Sequence, residues 1–390
     1  MSRRLRTAMV GVTVIAAAGT ALLTTPATAA GAGTTSEARK PGHDATQAAM
    51  DTAVAAGVPG IVAEVRDDRG VWKGTSGVAD LSTRQPRGHR DRFRAGSVTK
   101  TLVATVMLQL QAEGKADLDA SVDHYLPGLV RGNGHDGTDI TVRQLLNHTS
   151  GIHNFTDDAT FAKKVMGIGF LQSRYDDWTP QQVIALALRN PPQFEPGTSW
   201  KYSNTNYLLL GLIIEELTGR PYAEEIERRI TRPLGMRSTH FPGTDPHVPA
   251  PTRHYSTFTE DPGKTYDVTE LNPSWAGAAG EMISNAADLN RFFTALFRGR
   301  LLPPAQLRQM TTALSTEGNL PRQRYGLGLI EYETTCGVKV WGHSGGIHGS
   351  TTQAFGTSDG RHMITLNFNG DWVGGGKNVV SAEFCPPPGA

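Results

Sequence analysis

Ser97-Val-Thr-Lys-Thr-Leu-Val-Ala-Thr-Val-Met-Leu-Gln-Leu110 decides how the rest of this chain is read. It opens with the only Ser-x-x-Lys in the 390 residues. Thr99 to Leu110 is apolar and reads as a helix. Residues i and i+3 of a helix share one face, so the Ser97 hydroxyl and the Lys100 amine are expected one turn apart. A lysine held there is partly desolvated, and its neutral amine becomes able to take the serine proton. That arrangement makes a serine nucleophile without a histidine.

Residues 1–29 read as a secretory signal. Arg3, Arg4 and Arg6 precede the apolar stretch Ala8 to Leu23, and Ala27-Thr-Ala29 is a small-x-small cleavage site. The apolar stretch is too short, with the wrong flanks, for a membrane span. A secreted, extracellular protein without a membrane anchor is expected. Removing the signal takes away three arginines and no acid, which moves the net charge from +1 to −2. A nearly neutral chain without a basic block argues against a nucleic-acid partner. The remaining roughly 360 residues can build a large core. Cys336 and Cys385 are the only cysteines. In an exported protein such a pair is most simply one disulfide, closing a loop of about 50 residues worth roughly 4 kcal/mol on the chain-entropy model. Two free thiols are the alternative.

Residues 30–44 are rich in Gly, Thr, Ser and charge and read as a disordered leader. Ile61 to Arg66 and Val71 to Gly77 flank Asp67-Asp-Arg-Gly70 as a β-hairpin. Helices are expected from Thr141 to Leu146, from Asn206 to Leu217 with Gly219 as its stop, and from Ala286 to Phe297. Tyr325 to Tyr332, Val338 to Gly342, Thr351 to Thr357 and His362 to Asn367 read as short antiparallel strands. The fold class is therefore α/β (α+β). Residues 45–105 and 265–390 would form a sheet domain flanked by helices, with a mostly helical domain, 106–264, inserted.

Two further motifs follow Ser97-x-x-Lys100 in order. Tyr202-Ser-Asn204 lies in Trp200-Lys-Tyr-Ser-Asn-Thr-Asn-Tyr207, just before a helix, and is the only Tyr-x-Asn of the chain. His343-Ser-Gly345 follows a strand. In that order the three motifs resemble the serine β-lactamase and penicillin-binding superfamily, in the branch of class C β-lactamases and soluble streptomycete-type D-Ala-D-Ala carboxypeptidases. Thr141-Val-Arg-Gln-Leu-Leu-Asn-His-Thr-Ser-Gly-Ile152, Phe194-Glu-Pro-Gly197 and Ala279-Gly-Glu-Met-Ile-Ser284 also look familial. The resemblance covers roughly residues 45 to 386 and implies the β-lactamase/DD-peptidase fold. Cys336 and Cys385 are similarly placed to the disulfide of the soluble carboxypeptidases.

The resemblance implies roles that these side chains can support. Ser97 attacks a carbonyl and is acylated; Lys100 removes its proton. Tyr202, as phenolate or proton shuttle, protonates the leaving nitrogen. Asn204 orients Lys100 and the substrate amide. The backbone N–H groups of Ser97 and Gly346 hold the oxyanion, and His343, with Ser344 and Gly345, brings positive or hydrogen-bonding character near a substrate carboxylate. No metal or organic cofactor is required. The expected partner is a peptide or β-lactam small molecule, and the expected state a monomer. A D-Ala-D-Ala carboxypeptidase acting on peptidoglycan stem peptides is the first reading. The alternative is an esterase, a D-amino-acid amidase or peptidase, or a β-lactamase of the same fold.

The sequence departs from the carboxypeptidase pattern where it should grip a terminal carboxylate. Ser344 stands in place of threonine, Gly346 offers no hydroxyl, and Ile330-Glu331 occupies the place where those enzymes carry arginine. Gly342-His-Ser-Gly-Gly346 also fits a Gly-x-Ser-x-Gly nucleophile elbow, but that motif requires a helix after its serine and the sequence from His348 is β-rich. His148 and His153 read as loop and packing residues, and Trp275 as core, with the cleft wall as its alternative.

Overall fold

The computed structural model describes residues 42–316 and 318–385. The expected signal and the leader up to residue 41 lie outside the described residues, as does the tail after Cys385. Helix α1 (Asp44–Ala55) precedes the hairpin of β1 (Gly60–Asp67) and β2 (Gly70–Gly77), in which Asp67 pairs with Gly70. Four helices then position the site: α2 (Thr99–Ala112), α3 (Val142–Asn147), α4 (Asn204–Thr218) and α5 (Ala286–Phe297). The chain continues through β3 (Leu314–Ser315), β4 (Gln323–Tyr325), β5 (Ile330–Glu333), β6 (Lys339–Ile347), β7 (Ser350–Gly356) and β8 (Met363–Phe368) to α6 (Gly376–Phe384).

The eight strands form one antiparallel sheet in the order β2-β1-β8-β7-β6-β5-β4-β3. Pairing of β1 with β8, Ile61 opposite Phe368, joins the two ends of the chain. Strand alternation divides the apolar side chains between two faces. Ile61, Ala63, Val65, Ile364 and Leu366 pack with Met50 of α1 and Val379 and Val380 of α6. Val62 and Met363 belong to the opposite cluster, with α2, α4 and α5. Helix α2 is buried from Thr99 through Leu108, as an all-round apolar helix must be.

Local chemistry sets the helix ends. Thr141 and Gln144 form a reciprocal capping box at α3. Gly219, at φ 65°, closes α4, and the Asn285 side chain accepts the Asp288 N–H at the start of α5. The expected run Tyr325–Tyr332 is two strands. Its centre leaves the sheet because Leu327 and Gly328 donate their N–H groups to Met310 and Leu146, each at 3.1 Å. The strand expected to end at Gly342 continues to Ile347, because β7 pairs with it as far as Ile347 opposite Ser350. Cys336 and Cys385 are joined by a disulfide. Among the described residues no helix is long and apolar enough to cross a membrane.

Candidate active site

Ser97 sits in a single 3-10 turn (Gly96–Val98) that runs directly into α2. The turn is pressed against β6. A Cβ on Gly345 would lie 1.9 Å from the Ala95 carbonyl oxygen, and one on Gly96 would lie 2.8 Å from the Gly346 nitrogen, so this approach requires glycine on both sides. The β5 pairing ends with Ile330 opposite Gly342, so beyond that point the β5-side edge of β6 is given over to the serine turn. Ser97 and Gly346 line the same cavity. Their N–H groups thus come from the two segments that the sequence assigned to the oxyanion.

Lys100 is fully buried and its Nζ lies 2.9 Å from Ser97 Oγ, 2.8 Å from Asn204 Oδ1 and 2.6 Å from the Ala279 carbonyl. No carboxylate pairs with it among the described residues, and burial pushes its pKa well below the ordinary lysine value. An ammonium at this position would donate to all three oxygens. In the neutral form, which burial favours, the two N–H groups go to the Asn204 and Ala279 oxygens and the lone pair faces the serine O–H. Asn204 is placed by the start of α4, where its N–H donates to Asn154 Oδ1 at 2.9 Å.

Tyr202 hydrogen-bonds Ser97, and its ring lies 5.0 Å from Lys100 Nζ. Burial drives its pKa strongly upward, with the Ser97 hydrogen bond opposing. Of the two states considered from sequence, phenolate and proton shuttle, the surroundings favour the neutral phenol.

Of the two characters expected of His343, positive or hydrogen-bonding, the structure favours the second. His343 is buried on β6 among Tyr325, Lys100 and His148, and burial, reinforced by Lys100, pushes its pKa down to about 3. It therefore carries no positive charge at neutral pH. Its Nδ1 donates to the Ser344 carbonyl at 2.5 Å and its Nε2 accepts the Tyr325 hydroxyl at 2.9 Å. Ser344 lies within the strand opposite Gln353, and β7 follows after a tight turn, so no nucleophile elbow exists there. Ile330 is buried in the sheet core, and Glu331 bonds Arg324 and Lys339.

His148, read from sequence as packing, is a member of the site. It adopts φ 64° at the end of α3 and is fully buried. Its carbonyl accepts the Lys201 N–H at 3.1 Å, and its Nδ1 accepts the Ser203 N–H and the Asn206 amide, both at 3.2 Å. The residues on either side of Tyr202 are thus clamped by one histidine, whose ring lies 4.2 Å from that of Tyr202. The unusual backbone left no trace in the sequence, because histidine tolerates a positive φ without announcing it.

The cavity in front of Ser97 holds about 400 Å³. Phe155, Phe258, Trp275, Ile347 and Trp372 form much of its wall, so Trp275 serves both core and cleft. No arginine or lysine is among the described residues that line it; the one acid is Asp371.

Residues 44–371 match the Beta-lactamase family. The chain belongs to that family. Among solved structures it is similar to a D-stereospecific amidohydrolase from Streptomyces sp., with 54% identity and a TM-score of 0.84 over 88% of this chain and 99% of that one. It is 27% identical to a D-aminopeptidase of Cereibacter sphaeroides (strain KD131 / KCTC 12085), covering 80% of this chain and 57% of that protein. It is also 27% identical to penicillin-binding protein 4* of Bacillus subtilis (strain 168), covering 74% and 63%. The chain spans about half the length of the curated relatives it matches. The expected superfamily and fold are thereby met, and the protein is a β-lactamase-family serine hydrolase; the finer expectation of a D-Ala-D-Ala carboxypeptidase is not established.

Proposed function

We propose that this β-lactamase-family hydrolase cleaves amides and esters of D-amino acids through an acyl-enzyme on Ser97. The observation that carries this reading is the cavity itself. Among the described residues its walls carry several aromatic side chains and no lysine or arginine to hold the terminal carboxylate that a carboxypeptidase substrate presents. The resemblance to the D-stereospecific amidohydrolase points the same way. It replaces our first sequence reading with the alternative.

The neutral Lys100 amine takes the Ser97 proton as Oγ attacks the substrate carbonyl. The developing oxyanion is held by the N–H groups of Ser97 and Gly346. The Tyr202 phenol gives its proton to the leaving nitrogen and is reprotonated from Lys100, so the amine departs neutral. Water then attacks the ester on Ser97, its proton returning through the same pair. Desolvation of Lys100 favours the neutral amine that the first transfer needs, while desolvation of Tyr202 keeps the phenol protonated and so holds the proton that the leaving nitrogen takes. Export belongs to the same reading: arginines precede the apolar Ala8–Leu23, and a structural disulfide suits an oxidising compartment.

The test is ammonia release from D-phenylalanine amide and L-phenylalanine amide, beside D-alanine release from diacetyl-L-lysyl-D-alanyl-D-alanine. The D-amide is expected to be the best of the three, with no turnover by Ser97→Ala. Faster release of D-alanine than of ammonia would return the assignment to a carboxypeptidase.

A further inference from the structure

We infer that Asp371 binds a positive charge on the acyl part of the substrate, so that the enzyme selects D-aminoacyl amides and esters with a free ammonium group. This rests on the acyl-enzyme reading above. Asp371 follows β8 and stands at the rim of the cavity, exposed on its outer side. Its Oδ2 accepts the Gly349 N–H at 2.8 Å and the Ser256 hydroxyl at 2.5 Å. The first donor is itself fixed. Gly349 has φ +70°, and a Cβ there would lie 2.7 Å from His254 Cβ. The carboxylate is therefore oriented by two neutral donors, which oppose the upward pull of burial on its pKa, and among the described residues no cation figures in its surroundings. An oriented carboxylate with no cation facing it, on a wall whose other lining residues are neutral or aromatic, is a built receptor for a cation.

Geometry also says which half of the substrate it meets. Tyr202, which protonates the leaving group, packs against His148 and Tyr325, and Tyr325 bonds His343. The leaving group thus lies toward the His343 end of the exposed β6 segment. The cavity extends the other way, past Gly346 and Ile347 to His348 and Asp371. The acyl part therefore lies on the Asp371 side of the serine.

The competing explanation is that Asp371 merely staples the β6–β7 turn. Asp371→Asn separates the two, because an amide oxygen still accepts from Gly349 and Ser256 while the charge is gone. kcat/KM should be measured for a p-nitrophenyl ester of an ω-amino acid, its uncharged isostere, D-phenylalanine amide and N-acetyl-D-phenylalanine amide. Wild type is expected to prefer each cationic member, and Asp371→Asn to lose about tenfold on those alone, chiefly through KM, since hydrogen bonds to charged groups are worth about that much. Equal losses on charged and neutral substrates, or none, overturn the proposal. If both amides are inert while the cationic ester keeps its Asp371-dependent advantage, the D-amidase reading fails and the cation site stands.

Discussion

His148 offers the sharpest check on how the site is held. Alanine there leaves the Ser203 N–H and the Asn206 amide, both buried, without their shared acceptor. At the low end each orphaned donor costs about 1 kcal/mol. The ring also fills space among Trp200, Tyr202, Tyr207 and Tyr325, and emptying an aromatic site costs about 3 kcal/mol. His148→Ala should therefore lose about 5 kcal/mol in urea unfolding. Asparagine places an oxygen near the Nδ1 position and tolerates the left-handed backbone, so His148→Asn should lose only the ring contribution, about 3 kcal/mol. Glutamine places its oxygen one bond further out and should resemble alanine. The kinetic signature comes from Tyr202. A displaced phenol no longer protonates an amide nitrogen, whereas a p-nitrophenolate leaving group needs no proton. The amide-to-ester ratio of kcat should fall at least tenfold in His148→Gln and recover in His148→Asn. A folded His148→Gln with the wild-type ratio would refute the clamp.

Three further outcomes follow from the same structure. Activity should be lost as pH falls through the lowered Lys100 pKa, because the protonated amine cannot accept the serine proton; the alkaline plateau should begin below the ordinary lysine range, and Lys100→Arg should abolish acylation while the protein still folds, checked by a pH–rate profile and by intact mass after benzylpenicillin. Cys336→Ser with Cys385→Ser should lower unfolding stability by roughly 4 kcal/mol on the chain-entropy model, for a closed loop of 49 residues, and leave kcat nearly unchanged under native conditions. Gly345→Ala should destroy the site from the backbone, since the new methyl would lie 1.9 Å from the Ala95 oxygen; acylation falling at least a hundredfold in a protein of near-native circular dichroism is the expected result.

By itself the sequence determined the helices read from Thr99, Thr141, Asn206 and Ala286, the third starting two residues earlier in the structure, because apolar periodicity and end signals such as a capping box and a glycine stop act over one or two turns. It also determined the order of the three motifs, and with them the family and the pair Ser97 and Lys100. Strand limits in 325–347 were less legible, since Gly328 and Ile347 answer to partners far along the chain, Leu146 and Ser350. Tertiary structure alone decided charge. His343 and Lys100 are ordinary titrating side chains in sequence; burial holds the first uncharged and favours the neutral, basic form of the second. It also decided what His148 does and brought in Asp371, on which the sequence reading is silent. His148 lies in the block 141–152 but reads there only as packing, Asp371 lies in no motif, and the two are separated by more than two hundred residues, yet folding brings one against Tyr202 and the other to the cavity rim. Desolvation and long-range hydrogen bonding depend on what surrounds a group in three dimensions, and no local pattern records that.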